Sequence, residues 1–249
     1  MAFRTPSGIV VPAVTADQMR EIDRIAVEEF GLSILQVMEN AGRILAAHVI
    51  SMIASGSTAS AGGGAVTVIA GPGGNGGGGL CCARHLHNRG ITVNVVTHRA
   101  ASMGEASGRQ MAILRAAGLR PIPVRRAAEV LRRASIVVDA LIGYGLRGAP
   151  TGRTAELIEL CNTSATRVLA LDVPSGVDAT TGETPGPVVR AERTLTLALP
   201  KTGLRRLSGD LYLADIGIPP EVYRRLGLAY TPPFGAADSV LLVSDDSPA

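Results

Sequence analysis

Asp139, Asp172 and Lys201 are the ionisable residues whose settings in the chain point to chemistry, because each lies within or directly after an apolar run. Asp139 interrupts IVVDALIG, where an unpaired carboxylate costs several kcal/mol. A cation or a ring of backbone amides would compensate it, and Ser175 with the carbonyls around Pro174 and Gly176 would add oxygens of the kind hard cations take. A strand-end Asp that caps a helix beginning near Gly152 is the competing reading. Asp172, in LALDVPSGVD, ends an apolar strand beside Pro174, where an α/β enzyme places an acid or base. A capping or turn-forming Asp is its alternative. Lys201, the single lysine, follows the apolar run TLTLAL and suits a phosphate contact or a surface position equally. Asp178, in VDATTGE, reads as turn chemistry. His48, His85 and His87 fall in predicted helices without metal-binding spacing.

A second chemical signal is the stretch AGPGGNGGGGL at 70–80. Glycine costs roughly 0.5–1 kcal/mol against alanine in regular structure, so this run implies a close approach to the main chain. Gly71, Gly73 and Gly76 spell G-x-G-x-x-G directly after an apolar strand and at the opening of a helix, the setting in which amides at a helix N-terminus hold a pyrophosphate. A dinucleotide-binding unit of the ordinary kind places an acid roughly 20 residues on for the ribose. His98 and Arg99 stand there, and an arginine suits a 2′-phosphate. No G-K-[ST] follows, which excludes a Walker loop. A glycine turn packed under a helix is the reading without function.

The elements that must position these groups alternate regularly. Thr15 with Gln18 and Ser33 with Gln36 have capping-box spacing and predict two helix starts, with apolar stripes through Met19, Ile22 and Ala26, and through Met38, Ala41 and Leu45. Apolar strands at 65–70, 91–97, near 121–124, and at 135–143, 167–173, 194–199 and 211–218 alternate with helices at 76–88, 105–117, 126–134 and 153–162. This pattern predicts an α/β fold with a mostly parallel sheet covered on both faces. One domain over 1–249 is expected, with a helical segment at 15–53, a Gly/Ser/Ala connector at 55–64, an α/β core at 65–223 and a flexible acidic tail at 238–249. Ligands of such sheets bind at the carboxyl ends of the strands, so GPGGNGGGG, GYGLRGAP and DVPSGVDATTGE are the segments to watch.

Composition narrows the function classes. With 46% hydrophobic and 18% charged residues the chain is globular, and its apolar runs fall short of the ~20 residues of a membrane span. Arginine pairs are scattered and aromatics are only 3%, which argues against nucleic-acid binding. Cys81, Cys82 and Cys161 read as reduced, buried thiols, and the N-terminus lacks a signal-peptide core, so a cytoplasmic location is expected.

The motifs GPGGNGGGGLCCARHL, VDALIGYGLRG, LALDVPSGVDATTGE, TLTLALPKTGL and GDLYLADIGIPPEVY, in that order, resemble the N-terminal YjeF domain, the NAD(P)H-hydrate epimerase family. QMREIDRIAVEEFGLSILQVMENAG resembles that family's first helices, and the likeness covers about residues 14–223. It implies a Rossmann-like three-layer α/β/α sandwich and interconversion of the R and S forms of hydrated NADH or NADPH, which are substrate rather than cofactor. It also implies a potassium ion held by Asn75, Asp139 and Ser175. Ligand contacts would come from Gly74, Asn75, Gly76, Gly77 and Gly78, from Gly143, Tyr144, Gly145, Leu146, Arg147, Gly148 and Ala149, and from Asp172, which would also be catalytic. A homodimer and a functional link to a separate dehydratase are implied as well, since no segment here resembles the dehydratase domain that some relatives carry. The family's usual loop reads G-P-G-N-N-G-G-D-G, whereas Gly74 and Gly78 stand here for its first Asn and its Asp. That departure leaves open an altered domain that binds a nucleotide or another small molecule without turnover, or one that acts on a different substrate.

Overall fold

The structure, a computed structural model, describes residues 2–56, 64–97, 103–165 and 167–244. His98, Arg99 and most of the 55–64 connector lie outside the described residues. The chain builds one nine-stranded sheet. Its strands are β1 (Ala2–Arg4), β2 (Val10–Pro12), β3 (Ala65–Ala70), β4 (Val93–Thr97), β5 (Ala134–Ala140), β6 (Val168–Leu171), β7 (Arg193–Leu197), β8 (Asp210–Ala214) and β9 (Ser239–Ser244). They lie in the order β2-β1-β9-β8-β7-β6-β5-β3-β4. The six from β4 to β8 pair in parallel, and β9, β1 and β2 extend the sheet by antiparallel pairing.

Two layers of helix cover this sheet. The helices are α1 (Ala16–Arg24), α2 (Ile34–Ser55), α3 (Gly74–His87), α4 (Glu105–Ala116), α5 (Ala127–Arg132), α6 (Gly152–Ser164) and α7 (Pro220–Arg225). One face of the sheet, through Val66, Val68, Ile136 and Val138, packs in the cluster that holds α1 to α4 and α7. The other, through Ile69, Val137 and Leu141, packs with Val130, Leu131, Leu157 and Ile158 of α5 and α6. Strand side chains alternate between faces, which is why neighbouring residues of β5 belong to different cores. Both capping boxes form, at Thr15/Gln18 and Ser33/Gln36, and α1 ends in a π-helical turn at Ile25–Glu29 before Gly31.

Three expectations are corrected. The segment 239–244, placed by composition in a flexible acidic tail, is strand β9, pairing Leu242 with Leu211 and Ser239 with Ala214. Its short apolar run SVLLVS covers what would otherwise be an open edge of β8, a demand visible only once the sheet exists. The strand expected near 121–124 is a single bridge between Val96 and Ile122, followed by a 3₁₀ turn at Val124–Arg126. The helix expected from 76 starts at Gly74, two residues earlier.

The β9 pairing also buries His48 of α2. Its Nε2 lies 2.8 Å from Ser239 Oγ, and its ring meets the edge of Tyr212 with centroids 4.8 Å apart. Burial, with Arg193 adding repulsion, moves the imidazole down from 6.5 to about 4. Between those values the unfolded chain binds a proton that the folded chain refuses, so this group contributes stability that is present above pH 6.5 and lost as the pH falls toward 4. A shift of this size corresponds to up to about 3 kcal/mol. Thermal unfolding at intervals from pH 4 to 7 should therefore show a steeper acid loss in wild type than in His48→Gln; parallel curves would remove this account.

Candidate active site

The parallel sheet has its switch point at β3, which is flanked by β4 on one side and β5 on the other. A crevice outside the carboxyl ends of the strands is expected there. The segments that follow β3, β5 and β6 meet around a cavity of about 820 Å³ at this place. Pro72, Gly73, Gly74, Asn75 and Gly78 form one wall, and the loop from Leu141 to Thr151 forms another. Gly73 caps α3 without any side-chain hydrogen bond, so the first amides of this helix are not covered by a capping residue. Gly76 and Gly77 lie behind the wall. A Cβ on Gly76 would fall 1.9 Å from Gly71 O, and one on Gly77 would fall 2.7 Å from Met38 Cε. Their glycine character serves the packing of the turn under α3, while Gly74 has only Met38 Cε, at 3.9 Å, near its missing Cβ.

Asp139 lies on β5 behind that wall, fully buried. It caps no helix. Its Oδ2 accepts from Ser175 N at 2.8 Å, and its Oδ1 accepts from Ser175 Oγ at 2.6 Å and Leu141 N at 3.2 Å. Ser175 Oγ in turn accepts from Ile142 N at 2.9 Å, which ties the segment after β6 to the loop after β5. These partners are neutral, and burial outweighs their three hydrogen bonds, pushing the carboxyl up to about 6. Asn75 is half-buried, and its buried amide nitrogen has no hydrogen-bond partner among the described residues. A Cβ on Gly143 would touch Asp172 Oδ2 at 3.0 Å and Asn75 Oδ1 at 3.2 Å, so only a glycine separates the Asn75 amide from the Asp172 carboxylate.

Asp172 follows β6 with φ 68°, a left-handed backbone that is uncommon outside glycine. Such outliers persist where surrounding structure holds them and collect at functional sites. Its Oδ2 accepts from Tyr144 N at 3.1 Å, and its Oδ1 accepts from Leu197 N at 3.3 Å and from the ammonium of Lys201. Lys201 is not a surface charge: its side chain is 1% exposed, against 5% for Asp172, and its Nζ also donates to Leu197 O at 2.8 Å. An isolated β-bridge between Val14 and Lys201 fixes the start of α1 beside this pair. Asp178 sits in a turn, accepting from Thr180 N and Thr181 N, as its sequence suggests.

Residues 34–203 match the family model described as YjeF-related protein N-terminus. The chain belongs to the YjeF N-terminal domain family. A protein of Dehalogenimonas lykanthroporepellens named NAD(P)H-hydrate epimerase is 48% identical over 249 residues, covering 99% of both chains. One of the same name from Rhodopirellula baltica is 37% identical, over 88% of this chain and 89% of that protein. A bifunctional NAD(P)H-hydrate repair enzyme of Hyperthermus butylicus is 42% identical over 84% of this chain, which matches only 39% of its length. The crystal structure of yeast ynu0 superposes with a TM-score of 0.83 at 24% identity, covering 94% of this chain and 100% of that one, and so shares the fold.

In this YjeF-type domain the two departures from the family loop stand at the cavity. Gly74 and Gly78 both line it, and a Cβ at Gly78 would approach only Leu171 Cδ2, at 2.9 Å. That contact is with the far end of a side chain able to turn, so backbone packing does not force glycine at 78. The residues expected to hold potassium suit such an ion: a buried carboxylate with only neutral hydrogen-bond partners, the Ser175 hydroxyl and the Asn75 amide oxygen are oxygen ligands in the right charge balance. Sequence reasoning found the groups on the strand ends but left Lys201 open and gave no place to Asp23, which lines the cavity and accepts from the Tyr144 hydroxyl. Lys201 carries a signal, as the one lysine directly after an apolar strand, whereas Asp23 looks like any polar residue of an amphipathic helix.

A separate cluster brings Glu39 of α2 to Cys81 and His85 of α3. His85 Nε2 lies 2.8 Å from Glu39 Oε1, while Arg84 donates to Glu39 and to Cys81 Sγ at 3.2 Å. The guanidinium supplies the positive charge that Glu39 needs, and burial pushes the Cys81 thiol up to about 12, so this cluster locks α2 to α3.

Proposed function

We propose that this chain is an NAD(P)H-hydrate epimerase that interconverts the R and S forms of hydrated NADH and NADPH. The observation that carries the reading is the Asp172–Lys201 pair, buried at the edge of a cavity whose other wall is an uncapped, glycine-built helix N-terminus. The amides of that terminus suit the pyrophosphate of a dinucleotide. Epimerisation at the hydrated ring carbon requires loss and return of a hydroxyl, and hence a group that moves a proton there. Asp172 takes that role, with the Lys201 ammonium donating to its carboxylate and the Tyr144 amide fixing its direction. The names of relatives matching nearly the whole chain support the same reaction.

Asn75, Asp139 and Ser175 would hold a potassium ion, which when bound supplies positive charge that balances Asp139 beneath the phosphate-binding turn. A separate chain would supply the dehydratase, the activity pairing that the bifunctional name of the Hyperthermus relative suggests. Exposed Val27, Phe30 and Ile34, at 39%, 37% and 50%, support burial of the α1–α2 junction in a homodimer. No helix among the described residues is long and apolar enough to cross a membrane.

The test is epimer interconversion by purified protein of mass defined by light scattering, coupled to an epimer-specific dehydratase, in potassium and in sodium. Turnover at least about tenfold faster in potassium is expected. Equal rates in both salts would remove the ion from the reading, and no turnover by folded protein would favour a binding module or another substrate.

A further inference from the structure

Exchange of a hydroxyl between the two faces of a ring requires one proton to be given and one to be taken, and Asp172, which follows β6, is a single group of this kind. Asp23 on α1 and Tyr144 on the loop after β5 line the same cavity as Asp172 and Lys201. Tyr144 joins the two carboxyls: its amide donates to Asp172 Oδ2 at 3.1 Å, its hydroxyl donates to Asp23 Oδ2, and its ring centre lies 5.8 Å from Lys201 Nζ. Asp23 lines the same cavity, and the hydrogen bond from Tyr144 spans 121 residues of sequence, so it holds α1 to the loop after β5. The charged groups that face this pair are Arg20 on α1, Lys201 after β7 and Asp172 after β6. Burial raises the Asp23 carboxyl and Asp172 adds to the rise, while the Tyr144 bond and Lys201 oppose it. The net effect holds the Asp23 carboxyl above the usual carboxylate range, the direction that suits a proton donor.

We propose that Asp23, oriented by Tyr144, is a second acid–base group of this site and serves the α1 face of the substrate ring while Asp172 serves the sheet face. The proposal rests on the epimerase reading. In one direction the Asp23 carboxyl gives its proton to the hydroxyl, the C–O bond breaks and water leaves, and the ring nitrogen's electron pair stabilises the ring cation. Water then forms a C–O bond on the opposite face and yields its surplus proton to Asp172. One proton has passed from Asp23 to Asp172, nothing is oxidised or reduced, and exchange with solvent or the reverse turnover resets the pair.

The experiment measures kcat, KM and the pH profile of epimer interconversion for the full-length wild type, Asp23→Asn and Tyr144→Phe, each checked for folding by thermal unfolding. Asp23→Asn is expected to lower kcat about 10²-fold with KM within about threefold, and to erase one ionisation from the kcat profile. Tyr144→Phe keeps the ring but releases the carboxyl, so its kcat loss should stay below about tenfold while that ionisation moves upward. An Asp23→Asn enzyme with kcat within about threefold of wild type and an unchanged profile, or one altered in KM alone, overturns the proposal. If Asp23→Asn fails to fold, an unmoved ionisation in Tyr144→Phe overturns it. A wild type without turnover is a different outcome: it removes the epimerase reading first, and this inference with it.

Discussion

Asp172→Asn is expected to lower kcat/KM for epimer interconversion by about 10²–10⁴-fold, the range for loss of a positioned proton-transfer group. Asparagine is the informative substituent because it tolerates the left-handed backbone that Asp172 adopts at φ 68°, so the change isolates the charge. The cost extends to stability. Lys201 would keep its Leu197 carbonyl but lose its carboxylate while only 1% exposed, and breaking a buried pair in this way costs about 3–5 kcal/mol. Lys201→Met should be destabilising for the mirror reason, since it leaves the carboxylate with only neutral partners, Tyr144 N, Leu197 N and the Thr196 hydroxyl. The double variant Asp172→Asn with Lys201→Met should recover much of the stability and none of the activity. Denaturant unfolding of the four proteins beside their kinetics decides the matter. A double variant no more stable than the worse single one would mean that the pair is not the coupled unit described here, and an active Asp172→Asn enzyme would move the chemistry elsewhere in the cavity.

Gly76→Ala is expected to leave little folded protein. Its Cβ would sit 1.9 Å from Gly71 O and 2.9 Å from Gly71 N, both backbone atoms of the turn that joins β3 to α3. Relief requires moving α3 off the sheet, and the loss should exceed about 4 kcal/mol. Gly74→Ala, two residues away on the same helix, provides the control. Its Cβ meets only Met38 Cε at 3.9 Å, and alanine is favoured over glycine in a helix by about 1 kcal/mol, so this variant should melt at or above the wild-type temperature. Thermal unfolding of the pair separates a turn built for close packing from one that is merely flexible: equal stabilities for the two variants would contradict the packing account.

Much of this site is legible one segment at a time. Capping-box spacing placed the starts of α1 and α2, the apolar runs placed the parallel strands, and the glycine motif marked the helix opening after β3. Each depends on contacts within a few residues, where spacing alone dictates geometry. An aspartate inside an apolar strand likewise announces that something must satisfy it, since burying a charge without partners is too costly.

What satisfies it depends on which strands become neighbours. Ser175 reaches Asp139 from 36 residues away because β6 lies beside β5, and Lys201 reaches Asp172 because β7 lies beside β6. The same order left β8 with an edge that β9 closes, turning an apparent tail into a strand. The sequence by itself therefore determined the parallel α/β core and the groups that demand partners, because local spacing and the cost of burying charge act within a segment. Tertiary structure alone decided the partners, Lys201 for Asp172 and Asp23 for Tyr144, because those pairings form only where the sheet order and the docking of α1 bring distant segments into one cavity.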